Sequence, residues 1–316
     1  MAGTLIALGG NALQRAGGSG SWKEARASLR AVAPVLAEAA QTSGTLVLTH
    51  GNGPQVGALL RQNELAADEL PGLPLDVLGA ETQGQIGYLI QSELTPMLRR
   101  RRVGRSVLTV ISRTEVRAND PAFLHPTKPI GRYYSEAESR LLRKKLGWSM
   151  VDDRVRGGWR RLVPSPRPVR WLEGPLVRGL LDTGAGGRWI PVVAGGGGIP
   201  VVRRPSGAYE GVEAVVDKDL AAALVARELG LETMAIVTDV PGAALSFGRS
   251  GERWLGEVSR QELANYRSRG EFAEGSMEPK VDAGLAFLSG GGRHFLICDI
   301  PSLPRALRGE AGTRVG

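Results

Sequence analysis

Short runs of apolar residues alternate along this chain with longer stretches whose apolar positions recur every three or four residues. Residues 4–8, 46–49, 107–111, 190–194, 233–238 and 294–298 read as strands with apolar side chains on both faces. Between the first two, Trp22, Ala25, Leu29, Val32, Leu36 and Ala39 fall at helical spacing and predict one buried stripe. A second helix is predicted within 76–100. Strand and helix in alternation predict an α/β fold, a largely parallel central sheet sandwiched by helices. The alternation breaks over 114–168, which is rich in proline, arginine and aromatics. Loops of that length are functional or disordered, and Tyr133, Tyr134, Trp148 and Trp159 argue for order. We therefore expect one domain, 1–316, carrying an inserted lid subdomain at 114–168.

Composition narrows the setting. No apolar run reaches the roughly 18 residues of a membrane span, and no leader precedes the first strand, so a cytoplasmic protein without membrane association is expected. The one cysteine, Cys298 in "HFLICDI", fits a reducing compartment and a buried structural thiol. The net charge of +8 would suit nucleic acid, but apart from "RRRR" at 99–102 the arginines are scattered and no aromatics are interleaved as stacking platforms. Small anionic substrates suit this charge better.

Four glycine-bearing loops follow predicted strands: "GGNAL", "HGNGPQVG", "GGGGIP" and "TDVPG". One such loop says little, since glycine is common in βα turns. Four together point to ligands at the carboxyl edge of the sheet, where backbone amides and helix N-termini converge. Neither G-x-x-x-x-G-K-[ST] nor an opening G-x-G-x-x-G is present, against a P-loop enzyme and a dinucleotide dehydrogenase. A phosphate site must then take its cations from elsewhere.

The chain has six lysines against 34 arginines, and three of the six lie in marked positions: Lys128 in "HPTKPIG", Lys218 in "DKD" and Lys280 in "GSMEPKVDAG". Lys218 and Lys280 fall at predicted helix N-termini, where a cation costs about 0.3–1 kcal/mol unless an anion compensates. That anion is either a bound phosphate or a local carboxylate, Asp217 or Asp219 for Lys218 and Glu278 or Asp282 for Lys280.

Taken together, "ALGGNAL", "THGNGPQVG", "GQIGYLIQ", "NDPAFLHPTKPIG", "RRLVPSP", "GGGGIPV", "EAVVDKDLAAAL", "GSMEPKVDA" and "GEAGTRV" resemble the carbamate kinases of the amino acid kinase superfamily, in family order from about residue 4 to 315. The resemblance implies reversible transfer of the ATP γ-phosphoryl group to carbamate, giving ADP and carbamoyl phosphate. It implies that Lys128, Lys218 and Lys280 surround the phosphates, with Asp219 orienting the lysines. Gly9, Gly10 and Asn11 would face the transferring phosphoryl group, and Gly51, Asn52 and Gly53 the carbamate. Gly195, Gly196, Thr238, Asp239, Val240, Ala273, Ser276 and Met277 would lie against the nucleotide. Magnesium would be held mainly by ATP phosphates and water, without protein ligands. A homodimer through "IGYLIQSEL" is implied as well. Relatives often carry lysine where this chain has Ala7, and Lys128 would supply that charge from the lid.

Some positions depart from the family pattern. Glu81 and Thr82 stand where a small or sulfur-bearing residue and serine are expected, and Ala243 and Ala244 where bulkier residues are common. These leave open two alternatives: a superfamily kinase acting on another small acidic acceptor, and a non-catalytic sensor of nucleotide or carbamoyl phosphate.

Overall fold

The computed structural model describes residues 3–10, 20–153, 157–183 and 186–316. Chain order begins with β1 (Thr4–Leu8), α1 (Trp22–Thr42), β2 (Leu46–His50), α2 (Gly53–Ala66), α3 (Leu75–Arg100) and β3 (Ser106–Thr109). Then come β4 (Arg113–Val116), β5 (Lys128–Tyr134), α4 (Glu136–Leu146), β6 (Ser149–Asp153), β7 (Gly158–Val163) and β8 (Pro168–Trp171). The second half holds α5 (Gly174–Asp182), β9 (Trp189–Val192), β10 (Ile199–Arg203), β11 (Tyr209–Gly211), α6 (Lys218–Glu228) and β12 (Thr233–Thr238). A hairpin of β13 (Ala244–Leu245) and β14 (Arg253–Trp254) precedes β15 (Glu257–Val258), α7 (Arg260–Ser268), α8 (Met277–Ser289), β16 (His294–Asp299), α9 (Leu303–Leu307) and β17 (Thr313–Val315).

The central sheet runs β15-β17-β16-β12-β1-β2-β9-β3. It is parallel except that β17 runs antiparallel to β16. Every side chain of β1 is buried, and the period-two alternation of a strand divides them between two layers. Ile6 and Leu8 join α1, α3 and α9, while Leu5 and Ala7 join α5, α6, α7 and α8. The chain is thus the expected α/β fold, helices covering both faces of a mostly parallel sheet.

Four predicted strands match to within one residue; the other two end two residues early. The strand expected at 107–111 closes at Thr109, because Ile111 turns outward and is 46% exposed. That at 190–194 closes at Val192, because Ala194 adopts φ +47° to open the glycine turn. The α1 stripe is buried from Leu29 onward, but Trp22 is 43% exposed and stacks on Tyr88 of α3, ring centroids 5.9 Å apart. It sits on the first turn, where residues 21–24 are all exposed.

The interval 114–168 is divided between two units. Strands β4 and β8 pair with each other and, through β4, with β10, making a sheet β11-β10-β4-β8. Residues 128–163 build a separate three-stranded sheet β5-β7-β6 with α4 beside it. A Ser135–Glu138 capping box opens α4 and Gly147, at φ +64°, closes it. This small sheet rests on α2. Glu64 of α2 accepts from the Tyr134 hydroxyl and from Arg132 Nε at 3.3 Å. No helix among the described residues is long and apolar enough to cross a membrane.

Candidate active site

The N-termini of α2, α6 and α8 and the loops after β1, β2 and β9 enclose a cavity of about 980 Å³ at the carboxyl edge of the central sheet, with β5 as its outer wall. Two aspartates organise it. Asp217 caps α6: its Oδ1 accepts from the Asp219 and Leu220 backbone N–H groups at 2.9 and 3.3 Å. Its other oxygen accepts from Lys128 Nζ at 2.9 Å, across 89 residues of chain. Burial would raise the Asp217 carboxyl, but the Lys128 ammonium, the Asp219 backbone N–H and the Lys218 charge outweigh it and hold Asp217 below the usual carboxylate range. Asp219, 3% exposed, accepts from Lys218 Nζ on Oδ1 at 2.5 Å and from Lys280 Nζ on Oδ2 at 3.3 Å. Three ammonium groups therefore face two carboxylates, which leaves an excess positive charge in a partly desolvated cleft. Such a cleft attracts a multiply charged anion.

Glycines admit the lysine stems and the loops. A Cβ on Gly51 would meet Lys218 Cδ at 3.2 Å, so the side chain passes over bare backbone there. Gly196, at φ +66°, has no room for a side chain: its Cβ would lie 2.2 Å from the Asn52 amide nitrogen. Beneath this layer His50 is fully buried with Nδ1 3.0 Å from the Gly51 carbonyl. Burial, aided by the Lys218 charge and only partly opposed by the Gly51 carbonyl, lowers the imidazole to about 4 and keeps it neutral. On the outer wall, Arg160 donates to the Pro129 and Gly131 carbonyls, each at 3.3 Å, and holds the bulged β5 that presents Lys128.

The amino acid kinase family pattern matches residues 3–299. Over 314 residues the chain is 43% identical to the carbamate kinase of Thermococcus kodakarensis, covering 98% of each. It is 44% identical over 313 residues to that of Pyrococcus furiosus, again 98% of each. The solved structure of carbamate kinase from Giardia lamblia bound to AMP-PNP superposes with a TM-score of 0.91 at 36% identity, covering 99% of this chain and 98% of that one. The chain belongs to the amino acid kinase family, among its carbamate kinases.

Of the residues marked in the sequence, this kinase brings Lys128, Lys218, Asp219, Lys280, Gly10, Gly51, Asn52, Gly53, Gly196 and Ser276 to one cavity. Gly9, Thr238 and Asp239 line a second hollow of about 580 Å³ on the α1 side. Gly195 is buried against the His50 ring. Val240, Ala273 and Met277 line neither cavity; Ala273 is exposed, and Met277 is half-buried against the core. Asn11 lies outside the described residues.

The local partners considered for Lys280 are taken elsewhere: Glu278 and Asp282 both pair with Arg267, at 2.8 and 2.7 Å. Asp217, a neighbour of Lys218 in sequence, serves Lys128 instead. Sequence reasoning did not single out His50, Gln83 or Arg160 as site residues, although "HGNGPQVG" and "RRLVPSP" contain two of them. Gln83 exchanges hydrogen bonds with the Ser112 backbone, Oε1 accepting from N–H at 2.7 Å and Nε2 donating to the carbonyl at 3.1 Å. Glu81 is exposed while Thr82, beside it, is buried and bonded to Asn52.

Proposed function

We propose that this kinase transfers the γ-phosphoryl group of ATP reversibly to carbamate, forming ADP and carbamoyl phosphate. The observation that carries the reading is the convergence of Lys128, Lys218 and Lys280 on Asp217 and Asp219 beside the Gly51–Asn52 turn. A carbamate oxygen attacks the γ-phosphorus; the new O–P bond forms as the bond to the β-phosphate oxygen breaks, and ADP departs. Such a transfer asks the protein for alignment and charge neutralisation more than for covalent chemistry. Lysine suits this role, because a compact ammonium on a flexible stem follows the moving group where a rigid guanidinium fork would fix one geometry. Asp219 keeps two ammonium groups aimed from one point.

Lys128 reaches the cavity from the small sheet, so its exchange between Asp217 and a bound phosphate would couple movement of that sheet, rather than of the whole 114–168 interval, to substrate binding. Among the described residues no group of three or more His, Cys, Asp or Glu is arranged to hold a metal ion, and both cavity aspartates are engaged by lysines. This fits magnesium that arrives on the ATP phosphates and keeps water as its other ligands, where it would neutralise phosphate charge. Of the "IGYLIQSEL" segment expected at a dimer interface, Ile86, Leu89, Ile90 and Leu94 are buried in the core of this chain and only Tyr88 is exposed, so the surface α3 offers is a stripe of Val77, Glu81, Gly84 and Tyr88, continued by Trp22. We assign this stripe to a homodimer, for which light scattering should give twice the 33.5 kDa chain mass. The test of the activity is ATP formation from ADP and carbamoyl phosphate with magnesium. Nucleotide binding without turnover above the spontaneous decay of carbamoyl phosphate would refute it.

A further inference from the structure

Thr82 lies on α3, wholly buried, with its hydroxyl between two partners. Oγ1 donates to the Gly79 carbonyl at 2.7 Å and accepts from Asn52 Nδ2 at 2.8 Å. A hydroxyl carries one proton and a carbonyl can only accept, so the Thr82 proton is committed to Gly79. The end of the Asn52 amide that meets Thr82 must then be its NH2. A flipped amide would set its oxygen against an oxygen with no proton to offer. The amide cannot swing aside, because Gly196 backs directly onto it.

Asn52 Oδ1 therefore faces away from Thr82. It has no protein hydrogen-bond partner among the described residues, yet it is not among their buried unpartnered atoms. Since Asn52 lines the cavity with Lys128 and Lys218, that oxygen is open to the substrate space. Gln55, one turn on in α2 and lining the same cavity, carries a second oxygen, buried and without a hydrogen-bond partner among the described residues. The two carboxylates of this cleft are already paired with lysines, so these oxygens are the acceptors left over. Phosphate and carboxylate oxygens have no use for them, whereas an N–H donor on the acceptor does.

We infer that Thr82 is a specificity-determining positioning residue, which locks the Asn52 amide with its oxygen toward the site so that the kinase selects an acceptor bearing an N–H donor over one bearing a methyl group. The inference rests on the carbamate reading above: carbamate and acetate share a carboxylate and differ in NH2 against CH3. A site built to pair a donor rejects the analogue lacking it, because its own acceptor is left desolvated and unpaired.

The test compares kcat/KM for carbamoyl phosphate and acetyl phosphate in ATP formation, in the wild type, Thr82→Val and Thr82→Ser. The wild type should favour carbamoyl phosphate by about tenfold or more. Thr82→Val, equal in shape but unable to accept from Asn52, should reduce that ratio by about tenfold, through carbamoyl phosphate rather than acetyl phosphate. Thr82→Ser should restore it. An unchanged ratio in Thr82→Val, or an equal fall for both substrates, overturns the role given to Thr82. A wild type that forms no ATP from carbamoyl phosphate overturns the carbamate reading itself, and the inference with it. Should Thr82→Val fail to fold, carbamoylphosphonate and acetylphosphonate are compared as inhibitors of the wild type. Tighter binding of the carbamoyl compound by about tenfold supports the inference, and equal binding overturns it.

Discussion

Replacing Lys218 by alanine separates the two roles of the lysine cluster. By sequence alone Lys218→Ala should leave stability unchanged or slightly improved, since a cation is removed from a helix N-terminus. The structure reverses that sign. Lys218 and Asp219 form a pair with side chains 17% and 4% exposed, and breaking a buried pair by removing one partner costs about 3–5 kcal/mol. Two effects reduce this. Lys280 still donates to Asp219 at 3.3 Å, and relief of the unfavourable helix-end charge returns about 0.3–1 kcal/mol. A net loss of about 2 kcal/mol is expected, a fall in Tm of roughly 3 °C for a chain of this size. Turnover should fall by about 10²–10³, the range for loss of one charge contact to a transition state. The variant Lys218→Ala/Asp219→Asn then separates the effects: removing the buried charge should recover much of the stability and none of the turnover. Calorimetry and the ATP-formation assay on the two variants decide this. A Lys218→Ala protein that melts many degrees early yet keeps near-normal turnover would show the lysine to be a structural ion-pair partner only.

Two further outcomes follow from the geometry. Gly196→Ala puts a Cβ 2.2 Å from the Asn52 amide at a φ of +66°, so KM for carbamoyl phosphate should rise by about tenfold or more, with a stability loss of about 1–3 kcal/mol by thermal unfolding. His50, lowered from 6.5 to about 4, gains its proton more readily unfolded than folded. Its contribution to stability is therefore complete above pH 6.5 and lost as the pH falls toward 4, by about 3 kcal/mol. The difference in stability between wild type and His50→Asn, measured from pH 7 to 4, should shrink by that amount; a constant difference would contradict a buried neutral imidazole.

The sequence by itself determined the layered sheet. A fully buried parallel strand must be apolar on both faces and an amphipathic helix must repeat its apolar residues every three or four positions, so both write their period into neighbouring residues. It also marked Lys128, Lys218 and Lys280, because lysine is rare in this chain and two of the three oppose a helix dipole. Which carboxylate each lysine meets was decided only by tertiary structure. Asp217 is adjacent to Lys218 yet receives Lys128 from 89 residues away, and Asp219 gathers Lys280 across 61 residues. Sequence proximity favoured Glu278 and Asp282 for Lys280, but Arg267 of α7 occupies both. The division of 114–168 between two sheets was equally hidden, since β4 and β8 are four residues long and half polar, and they join a sheet only because β10, about 80 residues after β4, pairs with β4. Periodicity is a local property of the chain. Ion pairing, the orientation of the Asn52 amide and the burial of His50 depend on what other segments bring to the same point, and only the closed fold fixes that.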